Sequence, residues 1–341
     1  LARRRFPSSI SAAVSHVSPG ASLVIGLGLL GAVLGAAARA QAAGLSLDRD
    51  PRIVAGSGTT VVDTRPTQQC ARQTLAGGHC LAPEDLLGPR HRLPAFRQLV
   101  WVLGTAGLSG KGTVVVAGES AQRRDFVAGV LFLLGQHRVV VLARPLSELL
   151  DSGQWPRGPG RQRAMAARPL FQGAARARLL VFRSELARAL HASRSPTLLD
   201  GRARAAYWGI EVRGARGGHI PGARSLPAAV ARGHVEGPRL DPGDEPVAYA
   251  QDPLSSIAYF TMLRADLGVN ARVYPRGWRD WAAHPALPVE TRVFPGLARV
   301  APAATREDHP SDLAIVAMLA ISGMLMAAAA LFMLTRRNRW I

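Results

Sequence analysis

Residues 197–227 read TLLDGRARAAYWGIEVRGARGGHIPGARSLP, and the rest of the chain can be read outward from them. A short apolar run, Leu198 and Leu199, ends in Asp200 and Arg202. Tyr207 follows on an amphipathic turn, and the stretch closes on Gly217, Gly218, His219, Ile220, Pro221, Gly222 and Ala223. Side chains two apart at a strand end point to the same side, so Asp200 and Arg202 can form an ion pair that fixes the loop after them. The glycines permit backbone angles closed to other residues and allow a tight turn.

The same pattern occurs earlier in the chain. Thr59-Thr60-Val61-Val62-Asp63-Thr64-Arg65 parallels Pro196-Thr197-Leu198-Leu199-Asp200-Gly201-Arg202, and Gly77-Gly78-His79-Cys80 parallels Gly217-Gly218-His219-Ile220. Two copies of one pattern argue for an internal duplication. Apolar runs at 112–117 and 139–142 in the first half have counterparts at 246–249 and 271–274 in the second, with helix-period stretches at 126–134 and 257–267 between them. Strands alternating with helices predict an α/β fold, each half a parallel sheet covered on both faces.

The motif order resembles the signature of the rhodanese domain, in which a strand ends in Asp-x-Arg, a short helix carries a Tyr or Phe, and a Gly-His-Ile-Pro-Gly-Ala turn leads to the next strand. The resemblance covers 52–150 and, more specifically, 179–290. It implies two tandem rhodanese-like domains, an arrangement found in thiosulfate and mercaptopyruvate sulfurtransferases. In that family a cysteine after the fourth conserved strand opens a loop of the form Cys-x-x-Gly-x-Arg-Ser or Thr and carries sulfur as a persulfide. Loop N–H groups and the next helix's N-terminus stabilise the charge.

Neither copy has that cysteine. In the second half Tyr249 matches the family's tyrosine before the nucleophile, and the nucleophile position is Ala250; Pro253 and Ser255 replace the Gly and the Arg, and Asp252 adds a negative charge. In the first half the position is Gly118, although Arg123 falls where the family's Arg would and could serve a small anion. The resemblance therefore marks Asp63, Arg65, His79, Asp200, Arg202, Gly218 and His219 as framework positions. Residues 274–281, with Trp278 and Trp281, match the family's closing Gly-Gly-x-x-x-Trp. Cys70 and Cys80 are the two cysteines of the chain, with a redox or sulfur-accepting pair on one side and a structural disulfide or inert thiols on the other. His79 and His219 have no neighbours at metal-ligand spacing, and neither a metal nor a cofactor is expected.

The ends of the chain predict a membrane setting. Arg3, Arg4 and Arg5 precede an apolar stretch at 21–38 with small residues after it, so 1–44 reads as a signal peptide or an uncleaved signal anchor. Residues 313–334 are apolar except for Ser322, long enough for a transmembrane helix, and Arg336, Arg337 and Arg339 follow directly. The basic flanks at both ends put the termini inside and the body outside, the periplasm of a bacterial cell. The expected organisation is a first domain at 45–150, an Arg/Gly/Pro-rich linker at 151–178, a second domain at 179–292, a stalk at 293–312, the membrane helix and a basic tail at 335–341.

The 341 residues, 48% of them apolar, suffice for two modest domains. Their 42 basic residues against 23 acidic give a net charge of +19, with Lys111 the single lysine. That charge suits anionic lipid or an acidic partner. Nucleic acid is not expected, since aromatics are few and no recognition motif is present. The expected function is a membrane-anchored binding or scaffolding module without sulfur transfer, its partner a membrane protein or a small anion. The alternative is a sulfurtransferase-like or thiol-redox enzyme using Cys80 or Cys70.

Overall fold

Valine-rich runs form parallel strands here because their β-branched side chains fit a pleated surface covered on both faces. In the computed structural model, which describes residues 44–164, 171–192, 195–233 and 243–291, the first sheet contains β1 (Leu45–Asp48), β2 (Thr59–Asp63), β3 (His79–Cys80), β4 (Thr113–Ala117) and β5 (Arg138–Leu142). They lie parallel in the order β1-β5-β4-β2-β3. The second sheet contains β6 (Leu198–Asp200), β7 (Ala223–Ser225), β8 (Val247–Tyr249) and β9 (Arg272–Val273), parallel in the order β9-β8-β6-β7. The order β5-β4-β2-β3 in the first sheet is the same, position for position. Leu180 makes a parallel bridge to Val273, where β1 stands beside β5 in the first sheet.

The helices are α1 (Thr67–Arg72), α2 (Phe96–Thr105), α3 (Ala121–Leu133), α4 (Leu146–Asp151), α5 (Arg183–Ala189), α6 (Arg204–Tyr207), α7 (Ala228–Ala231), α8 (Pro253–Ala265) and α9 (Gly277–Ala282). Strand side chains alternate between faces, and the burial follows. Val62, Val114, Val116, Val139 and Val141 join Leu199 and Ala248 in one central core. Val61, Val115, Val140 and Leu142 face a second core under α4, and Leu198, Val247 and Tyr249 a third under α9.

The central core is shared by the two halves, because α3 and α8 pack against each other between the sheets. Gly129 makes the close approach possible: a Cβ there would lie 2.3 Å from Thr261 Oγ1 and 2.5 Å from Ile257 Cγ2. The buried Asp125 of α3 also pairs with Arg232 of the second half. Burial pushes the Asp125 carboxyl up against that guanidinium, which pulls it down. The halves thus form one body rather than swinging on a link.

Part of the stretch read as a linker at 151–178 packs against the first half. Residues 157–158 pair antiparallel with 74–75, Arg161 bridges the His79 turn, and Cys80 N–H donates to Arg161 O at 2.9 Å. These residues complete the first half, because the backbone of its turn needs hydrogen-bond partners. Farther on, Phe171 is buried in the central core and Arg176 stacks over Phe132 at 4.2 Å. Cys70, on α1, and Cys80, at the end of β3, are joined in a buried disulfide. Gly160 passes over it, and a Cβ there would lie 2.5 Å from each sulfur.

The expected export segment, stalk, transmembrane stretch and basic tail fall on residues outside those described. Among the described residues, no helix is long and apolar enough to cross a membrane.

Candidate functional site

The second half is organised by Arg202. Its guanidinium donates to Asp200 from Nε at 3.0 Å and from Nη2 at 2.6 Å, and to Gly218 O at 2.8 Å, all buried. It lies 4.5 Å from the Trp278 ring centroid, so strand end, glycine turn and closing helix meet on one cation. Tyr207, on α6, donates to Ala223 O at 2.6 Å and stacks on the His219 ring at 3.7 Å. His219 Nδ1 is 3.0 Å from Tyr207 O, and Nε2 is 3.5 Å from Glu290. The histidine therefore packs within the turn and ties it to α6 and to Glu290.

The loop from β8 to α8 holds the position expected for a nucleophile, and it is closed on itself. Ala250 N–H donates to Ser256 Oγ at 2.9 Å, Asp252 N–H to Ser255 Oγ at 3.0 Å, and Ser255 N–H to the Asp252 carboxylate at 3.0 Å. Asp252 is thus the N-cap of α8, with Pro253 in the first turn, so the helix's positive end already faces a carboxylate from its own chain. Arg279 adds a longer contact to Asp252 at 3.4 Å. Gly277, at φ +64°, sits so close that a Cβ would lie 2.6 Å from Ala250 O. Trp278 N–H then donates to that same oxygen at 2.8 Å. Beneath the loop, burial and the Asp200 carboxylate push the Tyr249 hydroxyl well above its ordinary value, so it stays protonated.

The first half repeats the frame with a different interior. Arg65 holds Asp63 at 2.7 Å and donates to Gln73 O, and His79 Nδ1 is 2.7 Å from Ala106 O. At the position expected for a nucleophile in this half, Gly118 has φ +157° and a Cβ would lie 2.2 Å from Thr64 Oγ1, so no side chain fits without moving Thr64. Arg123, which the sequence offers as a ligand for a small anion, is engaged by a carboxylate of its own chain. It grips Glu84 through two bonds, at 2.7 and 2.6 Å, and holds that carboxyl below the usual range.

A cavity of about 310 Å³ opens beside the second loop, lined by Ala250, Gln251, Ser255, Arg202 and Arg213, and by Gln122 from the first half. It brings together Arg202, Ala250 and Ser255, which the sequence marked, but leaves Gly118, Cys70 and Cys80 outside its wall. Gln122 was not foreseeable, since its place depends on how α3 packs against the second half. Arg216 was also missed. It donates to Ala282, His284 and Leu287 carbonyls at 2.8–3.0 Å and so caps the end of α9, a role that only its position three residues before His219 could have hinted at. Among the described residues, no group of His, Cys, Asp and Glu is placed to hold a metal.

Residues 183–284 match the family model of the rhodanese-like domain. No curated protein sequence matches the chain. Among solved structures, Tum1 protein from Saccharomyces cerevisiae is similar at 16% identity and TM-score 0.58, over 74% of this chain and 99% of that one. YnjE is similar at 20% identity and TM-score 0.55, and wild-type EanB at 18% and 0.55. The match spans less than two thirds of both, 63% of YnjE and 65% of EanB, and 69% and 72% of this chain. At these identities the likeness establishes the fold.

Proposed function

We propose that the chain is a membrane-anchored protein with two rhodanese-like copies that have lost sulfur transfer, and that it works as a binding module through the cavity beside Ala250. The observation that carries this reading is the second loop. A methyl group stands at the nucleophile position, and Asp252 supplies the charge that an anionic sulfur donor would bring to the N-terminus of α8. Two sheets with the same strand order support the duplication. A disulfide persists in an oxidising compartment, so the Cys70–Cys80 bond supports the outward, periplasmic placement of the body. It also weighs against either cysteine as a nucleophile, since both sulfurs are bonded and buried. The cavity's mixed lining, with Gln122, Gln251, Ser255 and Arg213 among apolar residues, suits a small polar ligand or a partner's polar side chain.

Reconstitution tests this. Ala250→Cys alone is expected to form no cyanide-reactive persulfide with thiosulfate, because Asp252 repels the donor and Pro253 lacks an N–H. The variant Ala250→Cys/Asp252→Ala/Pro253→Gly/Ser255→Arg, which rebuilds the family's loop, is expected to form one. Transfer by Ala250→Cys alone, equal to that of the rebuilt loop, would show that the loop geometry was never lost.

A further inference from the structure

A second cavity, of about 430 Å³, lies between the halves and includes neither Ala250 nor any other residue of the β8–α8 loop. Its walls are apolar and come from both halves: Leu99, Val130 and Leu133 from the first, Ile257 from the second. Phe96 and Phe182 stand at its edge, 50% and 60% exposed, where large apolar side chains are otherwise unprotected.

One end is charged. Arg183 and Arg276, both lining the cavity, converge on the single carboxylate of Asp280, at 2.9 and 3.4 Å. Tyr274 donates to the same carboxylate at 2.6 Å. Burial would raise the Asp280 carboxyl, but the Tyr274 hydroxyl and the two guanidiniums outweigh it and hold it down, so it is ionised. Two cations share one anion, which leaves one positive charge in excess, and no acidic residue lines the cavity. Glu185, next along α5, is engaged by Arg272 at 2.8 Å.

We infer that this groove binds a single-chain amphiphile with an anionic head, of the long-chain carboxylate class, its apolar body between the halves and its head on Arg183 and Arg276. The volume is in the range of about 300–1,000 Å³ that small-molecule sites occupy. An inorganic anion would leave the apolar walls unfilled, and an amine head would meet the excess positive charge.

The test is photo-labelling of the full-length chain in lipid nanodiscs with diazirine-bearing dodecanoate, with labelled peptides mapped by mass spectrometry. Labels are expected on peptides carrying 93–99, 180–184 and 274–276, and excess dodecanoate should compete them away. Ser184→Trp and Ala175→Trp, which fill the groove from exposed positions on its rim, should each abolish labelling at these peptides. Arg276→Gln should weaken it about tenfold, the worth of one charge-assisted hydrogen bond. The inference is overturned if diazirine-bearing dodecylamine labels the same peptides equally well, or if labelling survives both tryptophan variants. Neither result would bear on the β8–α8 loop.

Discussion

Asp200→Ala is expected to lower stability by about 3–5 kcal/mol, the cost of leaving a buried partner charge unpaired. The carboxylate it removes is fully buried, and the Arg202 side chain left behind is 4% exposed. Arg202 would keep one carbonyl and the Trp278 face, neither of which neutralises a guanidinium. Set against a total of about 5–15 kcal/mol for a typical domain, this is a large fraction of the stability. The equivalent Asp63→Ala should cost less, because Arg65 is 13% exposed and can recover water. Urea denaturation of both variants checks the order. Equal, small losses would mean that Asp200 does not hold the turn, the strand end and α9 together.

Gly129→Val should also destabilise the chain, by a different route. The new side chain has no space where α3 crosses α8, and the nearest neighbours include the Ile257 carbonyl, 3.2 Å from the Cβ position, which only a shift of the helix can move. Overpacking of this kind costs about 1–3 kcal/mol and at times more, and here it falls on the contact that joins the halves. The wild-type chain should unfold in one transition and Gly129→Val in two, as the halves uncouple. Thr261→Ala removes one of the colliding atoms, so the double variant should recover part of the loss. A single unshifted transition for Gly129→Val would show that the two halves do not depend on this crossing.

Asp200 and Arg202 lie two residues apart, and that spacing predicts the ion pair that the structure contains. Apolar strand runs alternating with helix-period stretches predict parallel sheets covered on both faces, and the structure contains them. The fate of Arg123 was not legible, because Glu84 lies 39 residues away and only the fold brings it near. Nor was the role of 155–161, whose Gly/Pro/Arg composition reads as a linker while its backbone satisfies the His79 turn. The alanine at position 250 is legible in the sequence, but the reason Gly118 excludes any side chain, Thr64, is a tertiary contact.

The most direct measurement is thiosulfate-to-cyanide sulfur transfer by the purified full-length chain, beside its Cys70→Ser and Cys80→Ser variants, with circular dichroism confirming that each remains folded. No turnover above the buffer rate is expected in any of the three. Turnover by the native chain that disappears with one cysteine would contradict it and make that residue the nucleophile.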